Sequence, residues 1–292
     1  MSNSETVQAI VLPDGRSLAF AEYGDPTGCP VFHFHGSAGS RLDRPADEGL
    51  LWAQGIRFIA VDRPGHGRSG FQRHRRLADW PEDVGHLADH LTLGAFYVEG
   101  WSAGGPHALA CARYLPDRVK AVALIASAAP MGRSGAFTGL PLPNLVLAAS
   151  ARWAPPLTHL IRWITRKMLL RDPEQATRQL MASIPEADKA ALYEPGNVAA
   201  FVQSVREGFR QGSRGVAQDD VIIRRDWGFD LGSIRVPVDI WHGEADTNVP
   251  ISGGRHLAAV LPRARPFFLP GEGHFFVLSR WGEVLAALVS PR

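Results

Sequence analysis

Three residues in this 292-residue chain are of the types that together perform acyl transfer, and each stands in a loop marked by glycine. Ser102 lies in Gly100-Trp101-Ser102-Ala103-Gly104, between a strand-like run, Ala95–Glu99, and an alanine-rich helical run that stops near Pro116. A serine on so abrupt a strand-to-helix turn must take a strained backbone conformation. Small neighbours two positions away let strand and helix pass close together. That geometry lifts the hydroxyl to the top of a sheet and aims helix N–H groups at whatever bonds to it. Alone, the pentapeptide also fits an ordinary small-residue turn in a chain with 30 glycines. A serine nucleophile needs a base, a carboxylate to orient that base, and donors for a developing oxyanion. Asp246 lies between a predicted strand and a predicted helix, in the run Trp241 to Pro250. A turn or helix-capping aspartate is the plainer alternative there, and Glu244 is the rival carboxylate, closer to the strand end. His274, in the run Leu269 to Phe276, is the one candidate among 11 histidines that follows the last predicted strand. His242 is expected to turn into the strand-end packing.

The elements that must hold these residues alternate between strand and helix. Ser17–Tyr23 alternates polar and apolar residues after an Asp14-Gly15 turn signal. Val31–Phe34, Phe58–Val61 and Ala121–Ala126 are short apolar runs, the mark of strands covered on both faces. A helix is expected between Ala78 and Leu93, with Asp79 as its N-cap. Further strands are expected at Val236–Trp241 and Arg265–Leu269, and a last helix over Phe276–Leu288. The order predicts an α/β fold: a mostly parallel central sheet with helices on both faces. Residues 131–225 instead show helical patterns, such as Trp153–Leu170 and Asn197–Phe209, broken by Pro155-Pro156, Pro185 and Pro195. The expected division is a core of residues 1–130 and 226–292, with 131–225 inserted as a helical lid over the strands' carboxyl ends. A separate helical domain is the alternative, disfavoured because both edges of the block join strands directly. Internal repeats and low-complexity tracts are absent.

The chain order Ser102, Asp246, His274 is the order of the α/β-hydrolase triad. Three further stretches carry the same likeness: His35-Gly-Ser-Ala-Gly-Ser-Arg-Leu42, Asp62-Arg-Pro-Gly-His-Gly-Arg-Ser69 and Gly100 to Gly105. On these motifs the chain resembles the α/β-hydrolase fold family, in its soluble bacterial branch, over essentially its whole length. The resemblance implies that Ser102 attacks an acyl carbonyl, that His274 takes and returns its proton, and that Asp246 fixes the imidazole tautomer. It also implies an oxyanion hole made by the backbone N–H groups of Ser37 and Ala103. Gly36 would let that backbone approach, His35 would orient its loop, and Gly100 and Gly104 would support the turn. The Asp62–Ser69 run reads as structural. Members that open epoxides or displace halides carry aspartate at the nucleophile position; serine here implies an acyl rather than an alkyl-ester intermediate. Ser127-Ala128-Ala129-Pro130 holds no carboxylate, so the alternative placement of the triad acid after that strand is excluded.

Composition bounds the rest. Hydrophobic residues at 45% and charged residues at 21% are ordinary for a globular chain. A net charge of +2 with scattered arginines, and lysine only at 120, 167 and 189, leaves no nucleic-acid footprint. Cys29 and Cys111 make no disulfide framework. The start, Met1 to Gln8, lacks the basic and apolar runs of a signal peptide, and no window approaches ~18 apolar residues. The expectation is a cytoplasmic protein with no membrane span, acting on a small molecule with no cofactor and no metal; its oligomeric state is open. Hydrolysis of small-to-medium apolar carboxylic esters leads. Two other hydrolase chemistries stand beside it: cleavage of a C–C bond in a diketone, or iminopeptidase-like removal of an N-terminal residue. The latter needs acidic lid residues for a free amine, for which Glu186, Asp188, Glu194, Glu207, Asp219 and Asp220 are available. A non-catalytic ligand-binding member is the third reading, which the intact Ser102, Asp246 and His274 oppose. Leu140, Leu142, Leu145, Val146, Leu147, Trp153, Leu157, Trp163 and Phe201 either line a greasy acyl pocket or pack the lid onto the core.

Overall fold

A computed structural model describes residues 8–132, 136–172, 175–176 and 184–291. The first seven residues, read above for a signal peptide, and parts of the 131–225 block lie outside them. The apolar runs form eight strands: β1 Gln8–Val11, β2 Ser17–Gly24, β3 Cys29–Phe34, β4 Ile56–Val61, β5 Phe96–Trp101, β6 Val119–Ile125, β7 Val238–Gly243 and β8 Ala264–Leu269. They make one sheet in the order β1-β2-β4-β3-β5-β6-β7-β8. β4 through β8 run parallel in that order, whereas β2 is antiparallel to both β1 and β4. The expected mostly parallel sheet is therefore present. β1 is an addition that its four residues do not announce; the Asp14-Gly15 turn folds it back on β2, with Leu12 N–H donating to Arg16 O at 2.8 Å.

Side chains alternate across this sheet with period two and build a core on each face. On β6, Val122 and Leu124 enter one core, while Ala121, Ala123 and Ile125 enter the other. The first core is closed by α2 (Trp80–His90), α3 (Gly104–Tyr114) and α9 (Ile251–Val260) through Val84, Leu87, Leu109 and Leu257. The second is closed by α1 (Gly49–Ala53) and α10 (Val277–Val289) through Leu51, Trp281, Val284 and Leu288. Asp79 does not cap α2 with its side chain. A 3₁₀ turn, Leu77–Asp79, already places it in helical conformation, and its carboxylate turns back to accept from Arg76 N–H at 2.7 Å.

Between β6 and β7 lie α4 (Leu142–Trp153), α5 (Pro155–Arg171), α6 (Glu186–Tyr193), α7 (Asn197–Gly208) and α8 (Arg214–Ile223). Pro155 and Pro156 start α5 rather than interrupt a helix, since proline at the first helical positions loses no hydrogen bond. Among the described residues, no helix is long and apolar enough to cross a membrane. β3 is flanked by β4 on one side and β5 on the other, so consecutive connections leave in opposite directions. The crevice this opens at the carboxyl ends of β3 and β5 is the usual ligand site of open α/β sheets. His35-Gly36 leaves one of those strand ends and Trp101-Ser102 the other.

Candidate active site

β5 ends at Trp101 and α3 begins at Gly104, so Ser102 must turn the chain within two residues. Its φ is +55°, a left-handed value that costs a non-glycine residue of order 1–3 kcal/mol. The closeness of the crossing explains the glycines. A Cβ on Gly104 would lie 1.9 Å from the Phe34 carbonyl oxygen, and one on Gly100 would lie 2.6 Å from the Gly104 carbonyl carbon. Ser102 N–H donates to Ile125 O at 2.8 Å and its carbonyl accepts from Ala128 N–H at 3.0 Å, which pins the turn to the end of β6.

Asp246 follows β7 and His274 follows β8, and the two meet: His274 Nδ1 donates to Asp246 Oδ2 at 2.8 Å. The other carboxylate oxygen accepts the N–H groups of Asn248 and Val249, each at 2.8 Å, so Asp246 is held on both sides. With Nδ1 carrying the proton, Nε2 of His274 keeps its lone pair. Burial disfavours the His274 cation, yet Asp246, helped by Asp188, carries its pKa above the ordinary value. The rivals are occupied elsewhere. Glu244 is exposed and pairs with Arg255 at 3.0 Å, while buried His242 donates from Nε2 to Val249 O at 2.8 Å and burial lowers its pKa.

Two residues support His274 in ways that their sequence context does not advertise. Trp101 donates from Nε1 to His274 O at 3.3 Å and packs its ring against His274 and Phe275, at 5.9 and 5.6 Å between centroids. Asp188 of α6, considered above as an amine ligand, instead accepts Phe275 N–H at 2.7 Å. Burial pushes its carboxyl up, against that hydrogen bond and the nearby His274.

The loop after β3 is set by Arg63. Its guanidinium, fully buried, donates to His35 O at 2.5 Å and to Gly36 O at 3.2 Å, and His35 Nδ1 donates to Gly36 O at 2.8 Å. In a trans peptide the next N–H points away from the carbonyl, so anchoring Gly36 O to Arg63 turns Ser37 N–H the other way. Neither Ser37 N–H nor Ala103 N–H meets a protein acceptor among the described residues. A Cβ on Gly36 would lie 3.7 Å from the Ser102 Cβ, so the loop touches the elbow. Burial, then the Arg63 and His66 charges, lower the His35 pKa and keep it neutral. The Asp62–Ser69 run is structural as expected: Asp62 accepts from Arg41 and from Arg68 N–H.

Gly36, Ser37, Ser102 and His274 line one cavity of about 320 Å³, with Asp246 behind His274, and with Ala103 and His35 buried beneath the turn and the loop. That volume is at the small end for small-molecule sites. None of the six carboxylates Glu186, Asp188, Glu194, Glu207, Asp219 and Asp220 lines it. Of the nine apolar residues considered for the pocket, Leu140, Leu147 and Phe201 line it. Leu142, Val146, Trp153, Leu157 and Trp163 correct the expectation: they face solvent, Trp153 at 67% exposure. The reason is that α4 and α5 pack through smaller residues, Ala148, Ala151 and a Ser150–Thr158 hydroxyl pair at 2.8 Å.

A family profile described as α/β hydrolase fold matches residues 30–280. The chain is 31% identical over 261 residues to the dihydrolipoyllysine-residue acetyltransferase component of the acetoin cleaving system of Pseudomonas putida; the match covers 89% of the chain and spans 62% of that relative's length. It is 26% identical to a bifunctional esterase/perhydrolase of Acinetobacter calcoaceticus, covering 91% of the chain and 92% of the relative. The solved structure of a thermophilic esterase from Thermogutta terrifontis superposes with a TM-score of 0.69 at 21% identity, covering 97% of each chain. With its profile match spanning β3 to α10, the chain belongs to the α/β hydrolase fold family.

Proposed function

We propose that this hydrolase is a serine carboxylesterase acting on small-to-medium esters through an acyl-enzyme. The observation that carries the reading is the left-handed Ser102 sharing one small cavity with a His274 already bonded to Asp246. Nε2 of His274 accepts the Ser102 proton as Oγ attacks the ester carbonyl. Asp246 stabilises the imidazolium that forms, and His274 then protonates the departing alkoxide. The oxyanion is met by the N–H groups of Ser37 and Ala103, each worth ~3–4 kcal/mol of transition-state stabilisation. A water activated by His274 releases the acid. Helices α4–α8 serve as the lid whose inner residues, Leu147 and Phe201 among them, set the acyl pocket. The esterase names among the relatives support the same reading.

Short-chain p-nitrophenyl esters test it. The wild type hydrolyses them and a fluorophosphonate probe labels one serine. Ser102→Ala loses the label and lowers kcat by at least about a thousandfold. Turnover unchanged in that variant sinks the proposal.

A further inference from the structure

We propose that the cavity selects esters bearing a free carboxylate, which Arg162 of α5 and Arg224 at the carboxyl end of α8 hold beside the Ser37 loop. This deepens the esterase reading and rests on it. Both arginines line the cavity that contains Ser102 and His274. They share one counter-ion, the fully buried Asp220: Arg162 donates to it from Nε at 2.6 Å and from Nη2 at 3.2 Å, and Arg224 from Nη1 at 3.0 Å. Arg162 Nη2 also reaches Ser37 Oγ at 2.9 Å, and Arg224 Nη1 reaches the Asp220 carbonyl at 3.2 Å. The remaining donors, Nη1 of Arg162 and Nε and Nη2 of Arg224, meet no acceptor among the described residues.

Among the described residues the charges leave a surplus. Two permanent cations face one carboxylate, and the carbonyl end of α8 offsets only part of a charge at Arg224. Neighbouring Asp219 has nothing to spare, because Arg63 and Arg75 both bind it. Among the described residues the one carboxylate lining the cavity is Asp43, and it faces His33 Nε2 at 3.4 Å. An unbalanced cation among Leu147, Ala148 and Phe201 is costly unless a ligand anion completes it. A carboxylate suits the planar guanidinium fork and supplies the single negative charge that is missing, whereas a phosphate dianion overshoots it.

The test compares two pairs of p-nitrophenyl and alkyl esters of equal length. One pair carries its terminal carboxylate or methyl on the acyl side, and the other carries it on the alcohol side. For at least one pair the charged ester has a kcat/KM higher by about tenfold or more. Arg224→Met erases that ratio and Arg224→Lys, which keeps the charge, restores part of it. Equal kcat/KM within both pairs, or a preference that survives Arg224→Met, overturns the inference. If no ester of the four is turned over and fluorophosphonate leaves Ser102 unlabelled, the esterase reading fails instead. Calorimetric titration with glutarate then reads the anion site alone: binding that Arg224→Met weakens by about tenfold upholds it, and no binding to the wild type overturns it.

Discussion

Two carboxylates of different kinds act on His274, the base of the proposed mechanism. Asp246 bonds its Nδ1 directly, whereas Asp188 acts through the Phe275 N–H and through charge. Together they outweigh the burial that disfavours the cation and raise the His274 pKa above its ordinary 6.5. In that proposed mechanism the sign has a kinetic consequence, because the base must be neutral to take the Ser102 proton. Log kcat/KM should fall on the acid side through a value above 6.5. Asp188→Asn keeps an acceptor for Phe275 N–H but removes the charge, so its acid limb should move to lower pH. Asp246→Asn should cost about 10⁴-fold in kcat, because the amide no longer selects the productive tautomer. A pH profile of kcat/KM for wild type and Asp188→Asn separates charge from mere packing. An identical limb in both would leave Asp188 with a structural role only.

The elbow is an element-scale device, since its shape comes from β3, β5, β6 and α3 together. Gly104 stands where α3 begins, and the Cβ of an alanine there would meet the Phe34 carbonyl oxygen at 1.9 Å. Neither backbone can yield without parting α3 from the end of β3. Gly104→Ala should therefore destabilise the fold by at least about 2 kcal/mol and abolish fluorophosphonate labelling of Ser102. A thermal melt with a labelling gel decides it; normal labelling in a stable variant would show that the crossing can relax. This part of the molecule was legible from sequence because its signals are local. Glycines flank Ser102 within two positions, and Asp246 and His274 each follow an apolar run. The support around them was not legible, because its partners are distant in the chain. Arg63 orients the Ser37 loop while leaning on Asp219, and nothing near either residue points to the other. The outward face of α4 and α5 misled for a related reason: apolar residues at helical spacing look like core until the neighbours are known.

At the scale of the whole molecule, a charged cluster is sealed inside the sheet's second core. His33 of β3 and Glu99 of β5 are paired across the strands and bonded through Nδ1, and Asp43 approaches the other ring nitrogen at 3.4 Å. Phe58 and Trp281 close over the imidazole, at 5.2 and 5.6 Å between centroids, so α10 is part of the seal. Burial works against the cation, but Glu99 and Asp43 together raise His33 to about 9. Because the folded value exceeds the unfolded one, the contribution is fully present below about pH 6.5 and is lost as pH rises through about 9. Burial also pushes the Glu99 carboxyl up from 4.5, a loss of stability with rising pH that begins well below the His33 window. Stability should therefore decline between pH 7 and 10, by at most about 3 kcal/mol from His33. His33→Gln should lower the melting temperature at pH 6.5 and flatten its fall with pH, because the proton that the fold binds so tightly is no longer there to lose. Melting curves at half-unit steps for both proteins measure this difference. Parallel curves would mean that His33 enters the fold uncharged, with Glu99 and Asp43 balanced by other means.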